Sequence, residues 1–460
     1  MSQIIFKPLD KPPFIKILLS AFQQLLAILA ATITVPTIVN STTGAQMSQS
    51  AALIGAGVGT IIYLFFTKFK SPVFFGSSFA FIGSMCSAFA GAVTMSAGYL
   101  GLIIGAFFVC ILYVGLSLLI KKFGTNWLNK VMPPVIIGPT VAIIGLTLAP
   151  NAISDLVQGS VPTTNTYVAL LCGLITLFVT IACSVYGKKT IKMIPFIIGI
   201  GAGYLVATIF TIIGIASKND SLKVINFDTF NNMKWVPEFT FVEAFKSFKD
   251  FESAGQFFSY LGTIALGYLP VAFVAFAEHV ADHKNLSQII GSDLLEDPGL
   301  DKTLMGEGVG SFAGVLFGGC PNTTYGESVG CVALSGNAST ITILVTCIIA
   351  ILISFFAPFV TFLATIPHCV MGGVCIALYG FIAVSGLKMI QKVDLDDNKN
   401  LFVISSILIA GIGGLVLNFG KISITQIACA LILGILVNIL VHIKKDDKDN
   451  TEEDKKEDLD

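Results

Sequence analysis

The chain has 460 residues, of which 54% are apolar and only 12% charged, and its mean hydropathy is +0.85. Soluble domains carry about 25% charged residues, so this composition excludes an ordinary water-soluble protein. All 27 basic residues are lysine, which disfavours a nucleic-acid partner and excludes bidentate guanidinium recognition of phosphate or carboxylate. The net charge is −1, but nine of the 28 acids lie between Asp446 and Asp460. Between Lys16 and Lys218 there is one acid, Asp155. An apolar body with a polar tail is what a bilayer demands.

Residues 1–16, with Lys7, Lys11 and Lys16, read as a cytoplasmic N-terminus. The run 17–39 is too long for the apolar region of a signal peptide and continues into further spans, so it reads as a first transmembrane helix. Further apolar runs follow near 48–67, 79–96, 98–120, 131–149, 165–186 and 190–215. Residues 216–256 are polar with interspersed aromatics and read as an extracellular loop. Then come runs near 257–281, 303–318, 327–337, 339–357, 360–384, 399–418 and 422–443, and a charged tail over 444–460 that reads as disordered. The prediction is an all-α polytopic membrane protein with 14 transmembrane segments, in repeats spanning 17–215 and 257–443. Seven segments per half, an odd number, makes the two repeats inverted.

Lysine placement tests this topology. With both termini inside, 21 lysines face the cytoplasm and six face out, five of those in the 216–256 loop. That bias agrees with the positive-inside rule. The ten cysteines are scattered singly and mostly lie inside apolar runs. They read as small membrane-core residues, not as a disulfide or metal framework.

The third and tenth runs are short or rich in small residues, and each follows a similar string. Ser71-Pro72-Val73-Phe74-Phe75-Gly76-Ser77-Ser78 precedes the third, and Cys320-Pro321-Asn322-Thr323-Thr324-Tyr325-Gly326-Glu327-Ser328 leads into the tenth. Short, Gly/Pro-interrupted hydrophobic segments at corresponding places in two halves point to a transporter site.

Ionisable groups at a helix centre in the bilayer cost about 2.5–3.5 kcal/mol or more, so each is a functional candidate. Here they are Glu278 at the end of the eighth run, Glu307 in the ninth and Glu327 opening the tenth, with Asp282 four residues after Glu278 on the same helical face. No basic residue lies inside the bundle to neutralise Glu278, so it is expected to exchange a proton near neutral pH, as a coupling residue does. At a helix N-terminus, Glu327 has free amides and the macrodipole to support its negative form. Glu307 and Asp282 are weaker candidates. Facing half-helix N-termini offer N–H donors and the acids offer acceptors, which suits a small, flat, neutral molecule with alternating C=O and N–H groups. Phe74, Phe75, Phe79 and Tyr325 are placed for one of them to stack on such a ring. No metal or cofactor motif and no nucleophile constellation is present, so an intramembrane enzyme is disfavoured.

These motifs resemble the nucleobase/ascorbate transporter family, in particular its bacterial uracil permeases. The resemblance rests on Phe75-Gly76-Ser77-Ser78-Phe79-Ala80-Phe81, Ala277-Glu278-His279-Val280, 293–300 and, most specifically, Pro321-Asn322-Thr323-Thr324-Tyr325-Gly326-Glu327. It implies uracil import by proton symport across the cytoplasmic membrane, with core and gate domains, a homodimer, and short strands leading into half-helices in segments 3 and 10. It also implies that Glu278 and Glu327 hydrogen-bond the uracil ring, that the amides of Phe79 and Gly326 meet its carbonyls, and that Glu278 is the main proton-linked acid. A purine such as xanthine or urate on the same fold, or a passive channel, are the competing expectations. Two features depart from the family pattern. Ser328 and Ser335-Gly336 stand where the family has an asparagine and, further on, Thr-Arg, Thr-Lys or Thr-Gly, and Asp282 stands where uracil permeases can carry a histidine, leaving open whether Asp282 takes that role or lies at a cytoplasmic helix end.

Overall fold

Helices form where the chain is apolar, and they stop where glycine, proline or lysine interrupts the run. The computed structural model describes residues 4–124, 133–188, 191, 195–233, 235–247, 250–251, 253–419, 422–424 and 426–442. The expected tail over 444–460 and Lys130, Lys189, Lys192, Lys234, Lys249 and Lys421 lie outside the described residues. The first half contains α1 (Phe14–Thr43), α2 (Gln49–Phe66), β1 (Phe75–Ser77), α3 (Ile82–Ala90), α4 (Met95–Phe123), α5 (Pro134–Thr147), α6 (Ala149–Leu156), α7 (Thr166–Tyr186) and α8 (Pro195–Ala216). A short α9 (Thr240–Lys246) precedes α10 (Ala254–Ile290) and α11 (Leu300–Gly318). There follow β2 (Asn322–Thr324), α12 (Gly326–Ser335), α13 (Thr340–Ile353), α14 (Ala357–Ala364), α15 (His368–Ile390), α16 (Asn398–Ile412), a hairpin of β3 (Leu417–Phe419) and β4 (Ile422–Ile424), and α17 (Gln426–Val441).

Among the described residues, eight helices are long and apolar enough to cross a membrane, or nine if the pair α13 and α14, bent by 85°, counts as one span. The sequence reading needs four corrections of detail. The eighth run does not end at 281, because α10 continues to Ile290. The twelfth run, 360–384, is not one helix: α14 ends at Ala364, and Pro367 caps a new helix starting at His368. The boundary between runs 399–418 and 422–443 is a β-hairpin. The 216–256 stretch contains α9 and two 3-10 turns, Asp220–Leu222 and Phe227–Asn232.

A bilayer interior supplies no water to backbone groups, so an interrupted helix must find partners within the protein. Strands β1 and β2 find them in each other, antiparallel, with Phe75 opposite Thr324, Gly76 opposite Thr323 and Ser77 opposite Asn322. Side chains satisfy the flanking amides. Phe75 N donates to Thr60 Oγ1 (2.9 Å), Phe74 N to Ser328 Oγ (3.0 Å) and Asn322 N to Ser311 Oγ (2.8 Å).

Apolar helices gain little from hydrophobicity in lipid and associate through close packing of small residues. Helices α2 and α11 do this through Gly55 and Gly59 against Gly310 and Gly314. A Cβ on Gly59 would lie 2.7 Å from Gly310 O, and one on Gly314 would lie 2.7 Å from Gly55 O. Around this pair pack α1, α3, α4, α10 and α13, whereas α5, α7, α8, α15, α16 and α17 pack mainly among themselves. The strand pair belongs to the first group and faces the second.

Candidate functional site

Between the two helix groups lies a cavity of about 350 Å³, near the lower end of the roughly 300–1,000 Å³ usual for small-molecule sites. One side is built by Phe79 and Ala80 after β1, by Glu278 and Asp282 of α10, and by Thr323, Thr324, Tyr325, Gly326 and Glu327 of β2 and α12. The other side is apolar, from Val141 and Ile144 of α5, Phe196 of α8, and Leu378, Phe381, Ile382 and Met389 of α15. No basic residue lines it among the described residues.

Its chemistry follows from local structure. Gly326 is the first residue of α12, and Tyr325 before it provides no side-chain cap. The first-turn N–H groups of a helix have no acceptor within the helix and carry its positive dipole end. Helix α3 likewise starts after Phe81 without a side-chain cap. The uncapped N-terminus of α12 thus opens beside carboxyl groups, with Phe79 and Ala80 of the turn leading into α3 also at the cavity, giving donors and acceptors within one apolar-walled space. Tyr325 is fixed, because its hydroxyl donates to Ser77 O (2.7 Å) and its ring lies against Gly76.

Of the residues singled out from the sequence, Phe79, Glu278, Asp282, Tyr325, Gly326 and Glu327 line this cavity, whereas Glu307, Phe74 and Phe75 do not. Asp282 is not at a helix end: α10 runs eight residues further, and Asp282 Oδ2 accepts from Thr324 Oγ1 at 2.6 Å. Of the stacking candidates, Phe74 and Phe75 are fully buried elsewhere. Phe74 sits in a cluster with Leu25, Ile28 and Leu64, and Phe75 lies 4.4 Å from the Tyr63 ring.

Sequence reasoning missed the apolar wall, whose residues carry no signal that separates them from other membrane residues. It also left the surroundings of Glu307 unread. That side chain is fully buried and hydrogen-bonds His279 Nδ1, while His279 Nε2 lies 3.0 Å from Thr303 Oγ1. One turn on, His283 Nδ1 donates to His279 O (2.8 Å), and its Nε2 lies 2.6 Å from Tyr63 Oη. The recurrence of His279 and His283 four residues apart was a readable sign of a second polar face on α10.

Comparison with known proteins gives consistent results. The Permease family model (Xan_ur_permease) matches residues 15–419. The uracil permease of Bacillus subtilis (strain 168) is 34% identical over 443 residues, covering 94% of each chain. The uracil permease of Escherichia coli (strain K12) is 33% identical over 439 residues, covering 94% of this chain and 92% of that one. Among solved structures, the transmembrane domain of the cyanobacterial bicarbonate transporter BicA matches with a TM-score of 0.62 at 14% identity, over 94% of this chain and 100% of that one. The murine anion transporter Slc26a9 in its inward-facing state matches with a TM-score of 0.65 at 13% identity, over 94% of this chain and 69% of that one. At such identities these two matches speak to the fold alone.

Proposed function

The chain belongs to the permease family, and from that premise we propose that it imports uracil across the cytoplasmic membrane by proton symport. The observation that carries this reading is the convergence of Glu278 and Glu327, from separate elements, on one cavity beside the uncapped N-terminus of α12 and the Phe79–Ala80 turn before α3. Uracil presents alternating N–H and C=O groups on a flat neutral ring. The carboxyl groups of Glu278 and Glu327 accept from its N–H groups, and the amides of Phe79 and Gly326 donate to its carbonyls. Phe79 and Tyr325 cover its faces. The absence of a lining cation among the described residues is suited to a neutral cargo.

Coupling follows from the cost of moving charge. An unpaired carboxylate facing apolar walls resists closure by at least about 2.5–3.5 kcal/mol. Protonated Glu278 removes that cost, and bound uracil satisfies the remaining polar groups, so the loaded and protonated carrier rocks while partly loaded forms do not. In this reading the group holding α2, α10 and α11 is a core that moves against a gate containing α5, α8 and α15. The full architecture is fourteen segments in a 7+7 inverted repeat over 17–215 and 257–443, with both termini cytoplasmic and two chains forming a dimer. Asp282 supports proton exchange beside Glu278, and Glu327 contributes to it.

The test is uptake of radiolabelled uracil in cells lacking their own uracil transport. Accumulation above the medium concentration is expected, with collapse on addition of a proton ionophore and with loss of accumulation in Glu278→Gln. Competition by unlabelled xanthine as strong as that by unlabelled uracil would move the assignment to purines. Uptake indifferent to the ionophore would indicate a passive channel.

A further inference from the structure

Helix α10 carries two acids and two histidines, each pair four residues apart and offset from the other by about 100°. Glu278 and Asp282 face the cavity, whereas His279 and His283 point into the protein and are fully buried. Their hydrogen bonds fix where protons lie. A carbonyl oxygen only accepts, so His283 Nδ1 carries the hydrogen that it gives to His279 O. We assign the Thr303 hydroxyl hydrogen to Leu300 O, 3.2 Å away and able only to accept, so that Thr303 Oγ1 accepts from His279 Nε2. That leaves His279 Nδ1 facing Glu307 Oε2. A ring lone pair against a carboxylate lone pair would repel, so a hydrogen sits between them. Whether it is drawn on the oxygen or the nitrogen, the pair carries no net charge. Glu307 Oε1 gives an independent reason. It is buried with no hydrogen-bond partner among the described residues, an arrangement that a net-negative pair would make expensive.

We propose that Glu307 and His279 share one proton as an electrically neutral pair that positions Glu278 at the cavity and does not carry the transported proton. The pair acts through the helix. His279 is held to Thr303 and Glu307 of α11, and His283 Nε2 accepts from the hydroxyl of Tyr63 of α2, which also lies 2.7 Å from Ser71 Oγ. Two clamps a turn apart therefore oppose rotation of α10, and rotation is the motion that would swing Glu278 out of the cavity. The titratable groups around the pair are Glu278, Asp282 and His283 on α10, Tyr63 on α2 and Tyr113 on α4. The Tyr113 hydroxyl is committed to Ala272 O (2.9 Å).

The functional consequence rests on the transport reading above, and the experiment separates the two. Wild type, Glu307→Gln and Glu307→Ala are purified and compared for uracil binding, for the pH profile of uptake between pH 5 and 8, and for thermal unfolding. The glutamine amide donates to His279 Nδ1 as the shared hydrogen does. Glu307→Gln should therefore keep uracil affinity within about threefold and keep the wild-type pH profile, while Glu307→Ala weakens binding by about tenfold or more. The proposal is overturned if Glu307→Gln unfolds at the wild-type midpoint yet loses binding as alanine does, or if it shifts the pH profile, which would make Glu307 a proton carrier. If wild type binds no uracil, the transport reading fails and the pair is judged on unfolding alone. A Glu307→Gln midpoint within about 2 °C of wild type upholds it, and a larger fall overturns it. Should Glu307→Ala not fold, glutamine against wild type still decides.

Discussion

The two interrupted segments, β1 with α3 and β2 with α12, have similar architecture but divide their chemistry unequally. From Ser71 to Met95 the first contains no acidic or basic side chain. The second carries Glu327 and is tied on every side. Asn322 Nδ2 donates to Gly55 O (2.9 Å), Thr324 Oγ1 to Asp282, Tyr325 Oη to Ser77 O, and Ser328 Oγ accepts from Gln24 Nε2 and from Phe74 N. Its far end is bound as well. Gly336, whose φ of 66° suits glycine, accepts at its carbonyl from the amides of Ile5 and Phe6. The second segment is thus a fixed post carrying the acid, and the first leans on it, supplying backbone donors and an aromatic face. Changes in the first should disturb shape, and changes in the second should disturb recognition.

The largest expected effect breaks the contact between the two. A side chain at Gly76 would enter the Tyr325 ring, and that ring cannot turn away while its hydroxyl is bound to Ser77 O. Overpacking typically costs about 1–3 kcal/mol, and here it displaces β1 together with its partner β2, which lines the cavity. Gly76→Val should reduce uracil uptake by about two orders of magnitude and lower the unfolding midpoint. Wild-type uptake from a folded Gly76→Val protein would mean that the strands do not shape the site.

A smaller effect distinguishes the partners chemically. Loss of a hydrogen bond to a charged group costs about 1.5–3 kcal/mol, so Glu327→Ala should weaken uracil binding by about 10–100-fold with little change in unfolding. Aromatic contacts are worth about 0.5–1.5 kcal/mol, so Phe79→Ala should weaken it by about two- to tenfold. Equal losses from both, measured by titration of purified protein, would erase the proposed division between acid post and aromatic face.

Both interrupted segments were legible because proline, glycine and small polar residues stand out in an apolar sequence. Glu278 and Glu327 were legible because charge is costly in a bilayer. The opposite wall was not. Val141, Ile144, Phe196, Leu378 and Phe381 are apolar residues in apolar runs, and only the crossing of α5, α8 and α15 selects them. The reach of α10 to Ile290 was hidden by its own function. His279, Asp282, His283 and Lys284 look like a helix leaving the membrane, whereas burial and pairing keep the histidines inside. The hairpin at β3 and β4 was hidden because its Leu417, Phe419, Ile422 and Ile424 suit a strand as well as a membrane helix. Distance in sequence likewise concealed the link between Glu307 and His279.

The smallest expected effect on transport concerns Ser328. Its hydroxyl accepts from two buried donors, the Phe74 amide at 3.0 Å and the Gln24 side chain, and it does not line the cavity. Each unsatisfied buried donor costs about 1–3 kcal/mol, and one of these belongs to the residue just before β1. Ser328→Ala should therefore lower the unfolding midpoint by several degrees while changing uracil affinity by less than about threefold. Ser328→Asn keeps an acceptor at the same place and should recover most of the stability, provided that the longer side chain reaches the Phe74 amide without moving α12. The comparison of the two segments turns on this result. If Ser328→Ala weakens uracil binding as strongly as Glu327→Ala while remaining folded, then the fixed post transmits its position directly to the ligand, and support and recognition are one function in the second segment.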